Sequence, residues 1–270
     1  MRLRRLGWAG IELEANDERV VIDHMLDPGI LSAFFGDSRD ELLAPDPGRA
    51  CAALLTHLHR DHADVAAIER ALSSPGSVLR PPRRASESRL DEMLTGEAEA
   101  TLAESSLEMR SCGVGEAFEL GPFSATALFA SDGLGSPQVS WLIEADGKKV
   151  LHCGDTVWHG AWWEVALAHG PIDIACLPGN GVEVSYPGLQ PAVSVPAVMT
   201  PGQAVEAARA LQARVMLPIH YNRTFEHAEY YRPVPDAGEK IEALAPDRDV
   251  TVRFLDPGEW IDVGLDVEAV

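Results

Sequence analysis

The chain is short of positive charge. Against 42 Asp and Glu it carries 22 Lys and Arg, a formal net charge of −20 over 270 residues. Nucleic acid and anionic membrane surfaces need a cationic footprint, so neither is expected as a partner. Cysteine is also scarce. Cys51, Cys112, Cys153 and Cys176 are far apart and form no C-x-x-C pair. They read as small buried hydrophobes in a reducing compartment, not as a disulfide framework. Long apolar runs are missing too. No stretch reaches membrane-spanning length, and the basic start Met1-Arg2-Leu3-Arg4-Arg5 meets Glu12, Glu14, Asp17 and Glu18 before a signal-like core can form. The expected location is cytoplasmic. No flexible linker or composition break divides the chain, so one domain over residues 1–270 is expected.

What is present suffices for a core, since 46% of residues are hydrophobic. Residues 3–8, 10–14 and 19–23 read as a strand meander, and Asp27-Pro28-Gly29 closes it with turn chemistry. Residues 31–49 read as a polar surface loop. Residues 51–56 form a buried strand. After it Val65, Ile68 and Leu72 recur at helical spacing, until Ser73-Ser74-Pro75-Gly76 stops the helix. Residues 80–110 are partly helical, with Arg80, Arg83, Arg84 and Arg89 expected on a solvated face. Strands follow at 115–120 and 123–129, then at 139–144 and 149–153 around the hairpin signal Asp146-Gly147. A helix is expected over 158–169, a buried strand over 172–177, and a helix from the N-cap Thr200-Pro201. A strand at 215–219 ends on His220. The tail adds a helix at 238–244 and strands at 250–254 and 259–263. Strand runs followed by helices recur in both halves, so layer logic predicts two sheets face to face with helices outside.

The chemistry sits in Thr56-His57-Leu58-His59-Arg60-Asp61-His62. Three imidazoles and a carboxylate directly after a buried strand are the donor set of a divalent transition metal. Further ligands must come from distant segments, at the C-terminal ends of buried strands. Asp155 in Gly154-Asp155-Thr156 and His220 in Pro218-Ile219-His220-Tyr221 are the candidates. His24, His152 and His159 are alternatives, with His152 expected to support the site from outside. Asn180, Tyr221, Asn222 and Arg223 follow strand ends and are expected to contact substrate. Trp158, Trp162 and Trp163 can wall an apolar pocket or pack in the core.

In order along the chain, H-x-H-x-D-H, G-D-T, Leu177-Pro178-Gly179-Asn180-Gly181 and P-I-H resemble the metallo-β-lactamase superfamily. The likeness is to its metal-dependent hydrolase branch, the group related to L-ascorbate-6-phosphate lactonase. The resemblance covers nearly the whole chain, most weakly over residues 72–110. It implies an α+β fold, an αββα four-layer sandwich with one or two metal ions between the sheet edges. It also implies that His57 and His59 hold a first ion, that Asp61, His62 and His220 hold a second, and that Asp155 bridges. The family places another histidine in the loop after the strand at 123–129. This chain has Ala130-Ser131-Asp132-Gly133 there, which makes Asp132 the expected occupant.

The function expected is a metal-dependent hydrolase of lactonase, esterase or phosphodiesterase type. A metal-bound hydroxide, oriented by Asp61, would act on a small ester, lactone or phosphoester. Zinc and manganese are the expected metals, with iron also compatible. Small molecules are the expected partners, and a homo-oligomer is left open. The substitution at Asp132 motivates an alternative, a metal-binding but inactive ligand-binding or regulatory module. A di-iron redox protein is a third reading, weakened because no residues remain for a flavin-binding domain.

Overall fold

A computed structural model describes residues 1–32, 41–83, 89–186, 193–221 and 229–264. Asn222 and Arg223, and Arg84 among the arginines, fall outside them.

Alternating apolar positions make the opening meander of β1 (Arg2–Gly7), β2 (Gly10–Ala15) and β3 (Glu18–Ile22), paired antiparallel. The apolar run of β4 (Ala50–Leu54) lies parallel to β3. Helix α1 (Val65–Ala71) starts where the Asp64 carboxylate accepts from the Ala67 N–H. It leads directly into β5 (Leu72–Arg80), then α2 (Arg89–Glu104) and β6 (Glu108–Ser111). The second series is β7 (Ala117–Leu120), β8 (Phe123–Phe129), β9 (Val139–Ala145), β10 (Lys148–His152), α3 (Trp162–His169) and β11 (Ile174–Pro178). A short β12 (Glu183–Val184) precedes α4 (Pro201–Ala210), where Thr200 and Gln203 form a reciprocal capping box. Then come β13 (Val215–Ile219), β14 (Tyr231–Arg232), α5 (Ala237–Leu244) and β15 (Trp260–Asp262).

The strands form a seven-stranded sheet, β15-β1-β2-β3-β4-β5-β6, and a six-stranded sheet, β13-β11-β10-β9-β8-β7; β12 and β14 pair separately. The buried side chains fall into three layers. The largest lies between the two sheets and includes Leu3, Ile11, Ile22, Leu54, Phe123, Trp141, Ile143 and Leu217. A second joins the outer face of the six-stranded sheet to helices α3, α4 and α5, through Leu151, Trp162, Ala204 and Ile241. The third joins the other sheet to α1 and α2, through Val21, Leu55, Ile68, Ala98 and Leu102. This is the four-layer αββα sandwich, and each inner layer is covered on both faces.

Three expectations need correction. The stop expected at residues 73–76 lies inside a strand, and residues 72–80 and 108–111 are parallel strands on either side of the helix expected within 80–110. Residues 250–254 are not a strand, because only the bridge between Met216 and Val252 forms there. Arg80 is not on a solvated face. It is buried and makes two hydrogen bonds to Glu99, at 2.7 and 2.6 Å, tying β5 to α2.

The sheets are fastened to each other at the end of β4. Trp141, fully buried, donates from Nε1 to the Leu55 carbonyl at 2.9 Å, and the Val139 N–H reaches the Thr56 carbonyl at 2.9 Å. Truncation to Trp141→Ala leaves a cavity between the sheets and an orphaned carbonyl. It is expected to cost about 3–5 kcal/mol, read from urea denaturation.

His24 follows β3 and is buried, with neither ring nitrogen hydrogen-bonded. Burial lowers its pKa to about 4, only partly opposed by the Asp64 charge. The unfolded chain therefore binds this proton more readily between about pH 6.5 and 4. The stability His24 permits is complete above about pH 6.5 and is lost as pH falls through that window. A His24→Leu variant should lose about 2–3 kcal/mol less than wild type between pH 7 and pH 4.5, in paired denaturation curves.

Candidate metal centre

Parallel strands deliver their C-terminal ends to one rim of the sandwich, and that is where the ligand candidates gather. Asp23 ends β3, the His57 to His62 loop follows β4, Asp155 follows β10, and His220 follows β13. All are buried. Two tight groups result. Asp61, His62, Asp155 and His220 each offer a donor atom within 4.8 Å of the others, and so do His57, His59 and Asp155. Asp155 belongs to both. Asp23, His57 and His62 form a third such group, in which Asp23 acts on the opposite side of the imidazoles.

Asp23 organises the loop. Its Oδ1 accepts from the Thr56 N–H at 2.8 Å, and its Oδ2 accepts from the Thr56 hydroxyl at 2.6 Å. The same Oδ2 lies 2.8 Å from His62 Nδ1. Thr56 Oγ1 in turn lies 3.0 Å from His57 Nδ1. This network assigns Nδ1–H to both imidazoles, so that each Nε2, when neutral, offers its lone pair to a cation. Those two Nε2 atoms, and Asp155 Oδ1, are buried without a hydrogen bond. His62 Nε2 and Asp155 Oδ1 lie 3.0 Å apart and still do not align as donor and acceptor. Buried polar atoms that converge without bonding one another are what a shared cation would satisfy, so the residues fit a divalent metal.

The electrostatics agree. Burial alone would lower the pKa of His62 and His220, but Asp155 and Asp61 beside them raise both, well above the usual histidine value for His62. Burial would raise Asp155, but His220 and His62 hold it well below the usual carboxylate range. The pocket is thus built to keep positive charge among carboxylates. His57 differs: burial, with His62 and His59 close by, keeps it well below its ordinary value and neutral.

The backbone bends to bring these groups in. Asp23, His220 and Trp8 adopt left-handed φ values of 48°, 63° and 50°, uncommon for non-glycine residues. Gly154 also has a positive φ, of 53°, and a Cβ there would meet Thr56 Oγ1 at 2.4 Å. Only glycine lets the Asp155 loop approach the histidine loop so closely.

Asp132 borders the same cavity, 4.0 Å from His59 Nε2, but lies outside the tight groups. Its Oδ2 accepts from the backbone N–H of Leu134 and Ser136, at 3.0 and 2.8 Å. Ser136 Oγ, not Asp132, is the group within hydrogen-bond reach of His59 Nε2, at 2.8 Å. His152 occupies both its nitrogens, with the Ala9 carbonyl at 2.8 Å and the Gly154 N–H at 3.3 Å, and so braces the site from behind. His159 stacks on Trp162 and does not join the groups.

The cavity bordered by His59, Asp61, Asp155 and His220 measures about 30 Å³. Asn180 and Tyr221 line a different and larger one, of about 570 Å³, between β11, β13 and α5. Asn180 meets the smaller cavity through two of its lining residues: its Nδ2 reaches the Tyr231 hydroxyl at 3.5 Å, and its Oδ1 accepts from the Val182 N–H at 3.2 Å. Of the three tryptophans expected to wall a pocket or pack in the core, Trp162 is core and Trp158 packs against it, and none lines the smaller cavity. Its walls are residues the sequence did not flag, among them Tyr186, Tyr231, Val182, Leu94 and Leu134. Trp8 was also missed. It packs against His220 with the rings tilted at 48° and their centroids 4.4 Å apart, and it donates from Nε1 to Asp61 Oδ2 at 3.0 Å. Nothing in the local pattern around Trp8 signals that contact, since its partners lie more than fifty residues away in sequence.

This rim is that of a metallo-β-lactamase fold. A family model described as a beta-lactamase superfamily domain matches residues 18–221, and the chain belongs to that family. It is similar to a UPF0173 metal-dependent hydrolase of Geobacillus thermodenitrificans, 26% identical over 275 residues, 97% of this chain and 100% of that one. A UPF0173 metal-dependent hydrolase of Thermococcus kodakarensis is 28% identical over 137 residues; that match spans about half of each protein, 50% of this chain and 51% of the relative. In fold the chain resembles CmlA, a diiron β-hydroxylase of Streptomyces venezuelae, with a TM-score of 0.73 at 18% identity, over 96% of this chain and 53% of that one.

Asp155 contributes to both ligand groups, so Asp155→Ala should empty both. Metal analysis after gel filtration is expected to find the variant with less than about a tenth of the divalent metal content of wild type, while Thr56→Ala weakens affinity about 10–100-fold.

Proposed function

We propose that the protein is a metal-dependent hydrolase acting on a small ester, lactone or phosphoester. The observation that carries this reading is Asp155, shared by two buried ligand groups in which its Oδ1 and the Nε2 atoms of His57 and His62 have no hydrogen-bond partner. A divalent ion held by His57, His59 and Asp155, or by Asp61, His62, Asp155 and His220, would lower the pKa of water to about 7 and polarise a substrate oxygen.

The chain's own residues do the rest. Asp61 is held as a carboxylate: burial raises its pKa, but His62 and His220 more than offset this. The Trp8 indole fixes one of its oxygens, so Asp61 orients the attacking water and takes its proton. Burial, with nearby Asp61 and Asp155, raises the Tyr186 and Tyr231 hydroxyls, which keeps them protonated as donors to a substrate oxygen. The reaction type proposed is the opening of a cyclic or linear ester. Zinc or manganese suits the imidazole and carboxylate donors, and iron remains compatible, as in CmlA.

The inactive-module reading has less support, because both ligand groups are complete without Asp132. In a screen of esters, lactones and phosphoesters with each metal, His59→Ala should lower kcat/KM by more than about a hundredfold, beyond what supporting partners command. Full activity in that variant, with its circular dichroism unchanged, would refute the site.

A further inference from the structure

Two features of the cavity bear on what it accepts. The first is its wall. Apart from the ligand candidates and Asp132, the described lining residues are seven aliphatic side chains (Leu31, Leu94, Leu134, Val182, Val184, Ala197 and Val198) and the phenols of Tyr186 and Tyr231. Among the described residues that line it there is no Lys or Arg. Phosphoryl and carboxylate groups are recognised by such cations or by an excess of positive charge. A space of about 30 Å³ admits little more than the reacting bond, and aliphatic carbons with a few placed hydroxyls suit an uncharged group there.

The second feature is the charge balance. Four carboxylates are buried around the ligand groups: Asp23, Asp61, Asp132 and Asp155. Two divalent ions bring four positive charges, which these carboxylates offset in full, and a single ion leaves the site negative. Asp132 decides the balance. It sits 4.0 Å from His59 Nε2, and a neutral residue there would leave the two-ion site with a net positive charge. The whole chain, at −20, adds no attraction for an anion.

We propose that this site selects uncharged carbonyl substrates, small esters or lactones, and rejects phosphoesters, with Asp132 as the residue that sets this specificity. The proposal rests on the metal-site reading above and narrows its substrate class. An Asp132→Asn change removes the charge but keeps an oxygen to accept the Leu134 and Ser136 N–H groups, so the loop is retained.

The test uses the full chain loaded with zinc or manganese and has two readouts. In the first, p-nitrophenyl acetate and γ-butyrolactone are compared with bis(p-nitrophenyl) phosphate. In the second, inorganic phosphate is titrated calorimetrically into wild type and Asp132→Asn at matched metal content. The neutral substrates are expected to exceed the diester in kcat/KM by at least about a hundredfold, relative to their uncatalysed rates. Phosphate should bind wild type no tighter than about 1 mM and bind the Asn variant at least about tenfold tighter. Diester turnover matching the neutral substrates, or phosphate affinity unchanged in Asp132→Asn, overturns the proposal. If no compound is hydrolysed, the hydrolase reading fails, and the phosphate titrations alone decide whether the site excludes anions. If the variant does not fold, the wild-type ratio and wild-type phosphate affinity decide it.

Discussion

The contact on which the site depends is the buried Asp23 carboxylate against Thr56 and His62. A carboxylate out of water is costly unless its lone pairs are filled, and Asp23 fills them with one backbone N–H, one hydroxyl and one imidazole. In doing so it joins the ends of the parallel strands β3 and β4. It also sets the tautomer of His62 directly and that of His57 through Thr56. Ring orientation, free lone pairs and loop path all follow from that one group, which is itself held at a left-handed φ.

Around this anchor the site gathers like charges that would repel one another in an empty pocket. Asp61, Asp155 and Asp23 surround His62, and Asp61 and Asp155 flank His220. Such an arrangement persists because the sandwich over-determines it: Trp141 ties the sheets at Leu55, His152 braces Gly154, and Trp8 ties β1 to Asp61 and packs on His220. Rigid packing positions the donors, and positive charge among them relieves the repulsion. The aliphatic wall then lowers the local dielectric, which makes the surplus or deficit of a single carboxylate, such as Asp132, matter to a ligand.

Much of the fold could be read from local patterns. The meander of β1 to β3, the Asp146-Gly147 hairpin and the Thr200 capping box are short-range signals, and each forms as its chemistry dictates. The misread stretches share a different cause. Strand β5 contains Pro75 and Gly76, which look like a stop, yet its pairing with β4 and β6 is set by neighbours distant in sequence. Residues 250–254 alternate like a strand but find only one bridge at the edge of β13. Arg80 looked like surface because nothing local marks Glu99 as its partner.

By itself the sequence determined the donor inventory and its order: a dense histidine loop after a buried strand, then Asp155, then His220, each at a strand end. It determined this because ligand chemistry and strand periodicity are local. The tertiary structure alone decided which donors share a point in space, and that Asp155 serves both groups. It also decided that Ser136 stands closer than Asp132 to His59, and that Asn180 and Tyr221 face another cavity. Those outcomes depend on how two sheets meet at a rim. The contacts there, Trp8 to Asp61 or Asp23 to His62, join segments that no periodicity connects.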